Sequence, residues 1–156
     1  MTLTRIFSIL TSFGITASYE AIVLNVDFII AGGSISADAV PAQSTSSGIH
    51  MALTRLDKSH LVRWMRGYNH PHATVITGLA ISPSSDTVAV YASTLVESPI
   101  NEFQYGLFFV VRASDGALTG TAIKIKPEST DKKWKVLSPA LVIDDANNVF
   151  FAMEFD

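Results

Sequence analysis

The feature that most constrains this chain is a strand–turn–strand pattern that returns three times. "AIVLNVDFIIAGGS" (Ala21 to Ser34), "GLAISPSSDTVAVYAS" (Gly78 to Ser93) and "ALVIDDANNVFFAMEF" (Ala140 to Phe155) each hold two apolar runs around a short polar turn. The turns are Asn25-Val26-Asp27, Pro83 to Asp86 and Asp144 to Asn148. Asn, Asp and Ser bond their own backbone in such turns, and Pro presets φ. Phe28 and Val88 lie 60 positions apart, and Val88 and Val149 lie 61 apart. A second hairpin recurs between them. "HMALTRLDKSHLVRW" (His50 to Trp64) aligns with "LFFVVRASDGALTGT" (Leu107 to Thr121) at an offset of 57, which sets Arg55 on Arg112 and Leu61 on Leu118. The Lys58-Ser59 turn then falls on Asp115-Gly116, and Asp-Gly between apolar runs is a strong hairpin signal. Naming the strands of one unit a to d, the chain reads a–b, c–d, a–b, c–d, a–b. That is about ten strands, in units spanning 21–68, 76–126 and 138–156.

A four-stranded antiparallel unit repeated about every 60 residues fits a β-propeller blade. The fold class expected is therefore all-β, with antiparallel four-stranded propeller-like blades in an incomplete ring. Composition agrees. Charged residues are 16 % of the 156 residues, below the roughly 25 % usual in soluble domains. Helical periodicity is weak after residue 20. The net charge of −3 argues against non-specific nucleic-acid binding through the whole-chain field. With no cysteine, disulfides and thiolate metal sites are excluded.

The motifs of the first unit resemble those of SBBP-type β-propeller repeats. That family shows Gly-Ser at the end of strand b, Lys/Arg-Leu-Asp at the close of strand c, a strand d ending in Trp, and an aromatic-Gly exit. Here these are Gly33-Ser34, Arg55-Leu56-Asp57, Trp64 and Gly67-Tyr68. The pattern covers residues 21–156. The second unit departs from it, with Ala92-Ser93, Ala113-Ser114 and Thr121 in the corresponding places. The resemblance implies a propeller blade and no particular chemistry.

Propellers close with 4–8 blades, and about two and a half are legible here. An open stack exposes apolar faces and strand edges, and the chain stops directly after an apolar strand b. Completion by copies of itself or by a partner protein is expected, so the isolated chain should be oligomeric or aggregation-prone. A longer parent product and a small closed barrel are the other outcomes. The N-terminus has a signal-peptide layout: "MTLTR", then twelve uncharged, mostly apolar residues that end in a small residue, Ala17. Residues 1–17 are thus a signal peptide or an N-terminal strand, and secretion is the expected location. A membrane partner is expected only if that segment is retained as an anchor.

No residue is assigned a catalytic, cofactor-binding or metal-binding role. His50, His60, His70 and His72 lie at different ends of the c–d hairpin, whereas a metal site needs convergent ligands. "DDANN" (144–148) has calcium-loop composition without the EF-hand spacing, and the same place in the other units is a polar turn. "AGGS" (31–34) has no following Gly-Lys-Ser/Thr and reads as the end of a strand. "KPESTDKKWK" (126–135) reads as a solvated connection. The possible interface residues are Arg63, Trp64 and Arg66 on strand d, and Trp134. Alternation puts Val62, Trp64, Arg66 and Tyr68 on one face of that strand, with Val62 and Trp64 against the next blade and the arginines guarding an edge. The function expected is a non-catalytic structural or interaction module without cofactor. The alternative is a fragment of a propeller enzyme or ligand-binding propeller, whose site would draw on strands a; these read "AIVL", "LAIS" and "ALVI" and supply few polar groups.

Overall fold

A computed structural model of the chain describes residues 17–36, 49–68, 70, 74–94, 105–125 and 140–152. Among these residues the structure is all-β, with ten strands. Unit one comprises β1 (Ala17–Leu24), β2 (Phe28–Ser36), β3 (Ile49–Asp57) and β4 (Val62–Tyr68). Unit two comprises β5 (Thr74–Ile81), β6 (Thr87–Thr94), β7 (Gly106–Arg112) and β8 (Ile123–Ile125). A hairpin of β9 (Ala140–Ile143) and β10 (Val149–Ala152) forms unit three. The four-stranded sheets run in the order β1-β2-β3-β4 and β5-β6-β7-β8, antiparallel throughout. The units stack face to face as blades do, and the described residues do not close a ring.

Turn chemistry sets the hairpins. The Asp57 carboxylate accepts from the amides of Ser59 (2.8 Å) and Leu61 (3.0 Å), and His60 closes the turn with φ of 66°. Asp144 repeats the device, accepting from the amides of Ala146 and Asn148 while Asn147 takes φ of 63°. The "DDANN" segment is thus a turn whose first carboxylate is committed to its own backbone. In the second unit Gly116 takes the left-handed position at φ of 70°. In each four-stranded sheet the a–b and c–d turns lie at the same end, as an antiparallel meander requires.

Register corrects the sequence alignment of the c–d hairpins. Phe28 pairs with Asp57, and Thr87 pairs with Arg112. Arg112 is therefore the counterpart of Asp57, and Arg55 corresponds to Val110. The matching arginines had suggested an offset two residues too large. The turn after Arg112 is also one residue longer: Arg112 bonds back to Ala117, whereas Asp57 bonds back to Leu61. Strand d of unit two does not follow its turn as one continuous strand. It touches β7 as a single bridge at Leu118 and pairs as a strand only over Ile123–Ile125. "AGGS" lies inside β2, which continues to Ser36.

The main core lies between units one and two. Ile30 and Leu53 from one sheet meet Ile76, Val88, Val90 and Phe109 from the other. Gly32 permits this approach, because a Cβ there would lie 2.6 Å from Ile76 Cγ2. A smaller core, built on Ala80, Ala89 and Ile143 with Phe108, Leu141 and Val149 around it, joins units two and three. Phe108 also stacks on Phe151, with ring centroids 6.2 Å apart.

Candidate functional site

The basic, aromatic strand β4 is the edge of the first sheet. It does not alternate as the sequence suggests. A bulge opposite Arg55 and Leu56 pairs Arg55 with Trp64 and Leu56 with Val62, leaving Arg63 as the extra residue. Trp64 consequently turns toward unit two, while Val62 joins Leu56 and Met65 on the opposite face. Expecting Val62 beside Trp64 is corrected by that one inserted residue.

Trp64, Arg55 and Tyr68 together receive the c–d turn of the next blade. The indole Nε1 of Trp64 donates to the Ala113 carbonyl at 3.2 Å, and Nη1 of Arg55 donates to the same oxygen at 3.2 Å. A carbonyl oxygen has two lone pairs and accepts both. Tyr68 Oη donates to the Gly116 carbonyl at 2.7 Å. Burial pushes the Tyr68 phenol well above its ordinary value, so the hydroxyl stays a neutral donor. The guanidinium of Arg55 also lies over the Phe28 ring, 4.2 Å from its centroid, a contact worth about 0.5–1 kcal/mol at exposed sites and more when desolvated. Gly116 completes the fit: a Cβ on it would fall 2.9 Å from the Trp64 ring.

The other candidate residues sit apart from this clamp. Arg63 is exposed and pairs with Asp57. The Leu61 amide and the Arg63 guanidinium help to hold the Asp57 carboxyl below its ordinary value. Arg66 is exposed on the same edge strand. Trp134 and the 126–135 segment lie outside the described residues, as do His72 and residues 1–16. His60 occupies the c–d turn, whereas His70, at the far end of β4, bonds Tyr105 Oη through Nε2 (3.0 Å) and Thr74 Oγ1 through Nδ1 (3.2 Å). Lys124 caps the Tyr105 ring at 3.6 Å. Among the described residues no three His, Asp or Glu side chains gather as metal ligands.

Arg55 and Tyr68 were legible only as parts of a motif. Their pairing with the next turn needs the three-dimensional stack. The sequence also did not single out Leu24, Val142 and Phe150, which are large, apolar and exposed. Leu24 belongs to the outer face of unit one, where Ile29 and Leu56 are buried among Tyr19, Ile22, Val62 and Met65. Val142 and Phe150 belong to the outer face of unit three. Among the described residues β10 pairs only with β9, whereas its counterparts β2 and β6 each pair with two strands. The arrangement offers apolar faces and a strand edge, which are means of binding polypeptide. No family model matches the chain, and no curated protein matches its sequence.

Proposed function

We propose that this chain is a non-catalytic structural or interaction module: a run of propeller-like blades completed by copies of itself or by a partner protein. The observation that carries this reading is the third unit. Val142 and Phe150 are about three-fifths exposed on a hairpin whose equivalents in units one and two are covered by a following blade and paired to a third strand. Exposed apolar area of this kind beside an open strand edge favours association. The motifs of unit one support membership among SBBP-type repeats, and the leading segment supports secretion with Ser18 as the first mature residue.

The test is the native mass of the particle that contains the chain in unfractionated extract or medium, read on a native gel with an antibody. The expected particle exceeds the 16.8 kDa of one chain. A particle of a single chain overturns the reading.

A further inference from the structure

One aspartate of this chain, Asp115, is followed by glycine, and no asparagine is. That dipeptide has a chemistry of its own. The backbone nitrogen after an aspartate can attack the side-chain carboxyl carbon, and glycine, with no Cβ, shields that nitrogen least. A C–N bond forms, the carboxyl C–OH bond breaks, and the hydroxyl leaves with the amide proton as water. The product is a five-membered succinimide. Water then adds to either of its carbonyls. One opening restores aspartate. The other gives isoaspartate, whose main chain runs through Cβ and Cγ and is one atom longer.

Both reacting groups are engaged in the fold, and by the same residue. Nε and Nη2 of Arg112 donate to the two carboxylate oxygens of Asp115 at 3.1 and 2.8 Å, and the Ala117 amide donates to Oδ1 at 2.9 Å. A bidentate guanidinium favours the anion, whereas ring closure needs the neutral acid. The bonds from Arg112 and Ala117 hold this carboxyl below its ordinary value. The Gly116 amide, which is the attacking group, donates to the Arg112 carbonyl at 2.8 Å. The turn is also held from unit one. Gly116 is buried against the Trp64 ring at φ of 70°, and its carbonyl accepts from Tyr68 Oη at 2.7 Å. Asp57 and Asp144 anchor turns in the same way, but they precede Lys58 and Asp145, whose side chains hinder attack.

We propose that Asp115–Gly116 is an isomerisation site held in check by Arg112, and that its conversion is a one-way release of this turn from the Trp64 clamp. The inserted backbone atom moves the Gly116 carbonyl away from Tyr68 Oη and crowds the Trp64 ring, where even a single Cβ would lie 2.9 Å away. The junction of units one and two thus carries a covalent point of ageing at the place where the two blades are fastened. This goes beyond the module reading and does not depend on it.

Incubation of the purified chain at neutral pH tests it, with isoaspartate at residue 115 measured by peptide mapping and fragmentation that distinguishes the two isomers. The folded parent is expected to convert many-fold more slowly than the same chain unfolded in urea. Arg112 is exposed, so Arg112→Ala does not burden the core, and it is expected to raise the folded-state rate several-fold. Arg63→Ala removes the matching arginine beside Asp57 and is expected to leave the rate unchanged. Asp115→Glu cannot close the five-membered ring and is expected to abolish the signal. Circular dichroism verifies the β content of each variant, and Arg112→Gln replaces Arg112→Ala should that variant lose it. The converted Arg112→Ala chain is expected to melt below the unconverted one. A folded parent that converts as fast as the unfolded chain overturns the proposal. So does an arginine variant that converts no faster than the parent, or a converted chain that melts like the unconverted one.

Discussion

Trp64 shows how one side chain joins two blades. Its ring lies against Gly116, and its nitrogen bonds the Ala113 carbonyl. Truncating a buried Trp costs about 3–5 kcal/mol. Trp64 is half-buried, so Trp64→Ala is expected to lower stability by about 2 kcal/mol. Trp64→Phe keeps most of the contact but loses the hydrogen bond, at about 1 kcal/mol. Urea unfolding of both variants checks the difference; a Trp64→Phe variant as stable as the parent would mean that Nε1 contributes nothing. Gly32→Ala places a methyl against Ile76 and is expected to cost about 1–3 kcal/mol by overpacking, read in the same way. The motif residues were visible in the sequence, but their geometry was not. The match of Arg55 with Arg112 was one of residue type, whereas the ladder sets register. The inward turn of Trp64 without Val62 follows from a bulge that alternation does not encode.

Among elements, the hairpins were the most legible, because their turns are built from residues with a local reason to turn. The Asp-anchored turns at Asp57 and Asp144 make a specific prediction about pH. Hydrogen bonds from Leu61 and Arg63 to Asp57, from Arg112 and Ala117 to Asp115, and from Asn148 and Ala146 to Asp144 hold these carboxyls below their ordinary values. A carboxylate whose folded pKa is lowered adds stability that is fully present above the unfolded value of about 4 and is lost as pH falls through the folded one. The melting temperature should therefore be insensitive to these groups above about pH 5 and fall below about pH 4, with Asp57→Asn flattening part of the acid limb in calorimetry. His60 supplies a second test. It sits at φ of 66°, where L-residues other than Asn and Asp are strained by roughly 1–2 kcal/mol. His60→Gly is expected to raise stability by about 0.5–1 kcal/mol after the flexibility of glycine in the unfolded chain is offset. Strand d of unit two was the least legible element. Leu118 touches β7 only as a bridge, so the pairing resumes at Ile123 with no apolar alternation to announce it.

For the whole molecule, stability is distributed along the stack much as in other repeat proteins, where each unit contacts only its neighbours. The junction between units one and two buries large side chains from most strands of both sheets, while that between units two and three rests on Ala80, Ala89 and Ile143. Amide exchange followed by mass spectrometry should show β9 and β10 opening at lower free energy than β2 and β6. Uniform protection across all three units would contradict this gradient. The periodicity made the number of units readable, whereas the relation between their faces was not. A leading face differs from a trailing one only by which neighbour it meets.

The placement of every a–b and c–d turn at one end of its sheet also has an electrical consequence. Of the seven acidic residues among the described positions, six are in or beside these turns: Asp27, Asp57, Asp86, Asp115, Asp144 and Asp145. Lys58, Arg63 and Arg112 share that rim, the two arginines paired with Asp57 and Asp115, and leave it net negative, whereas Lys124 lies in β8 over Tyr105, away from the turns. The described part of the molecule is therefore dipolar, with its negative pole on the turn rim. Such an asymmetry orients an approaching particle before any contact is made. A cationic surface would meet the rim first, at ionic strengths where the Debye length exceeds about 10 Å. The turns that shape each blade thus also give the stack a top and a bottom that a charged surface can tell apart.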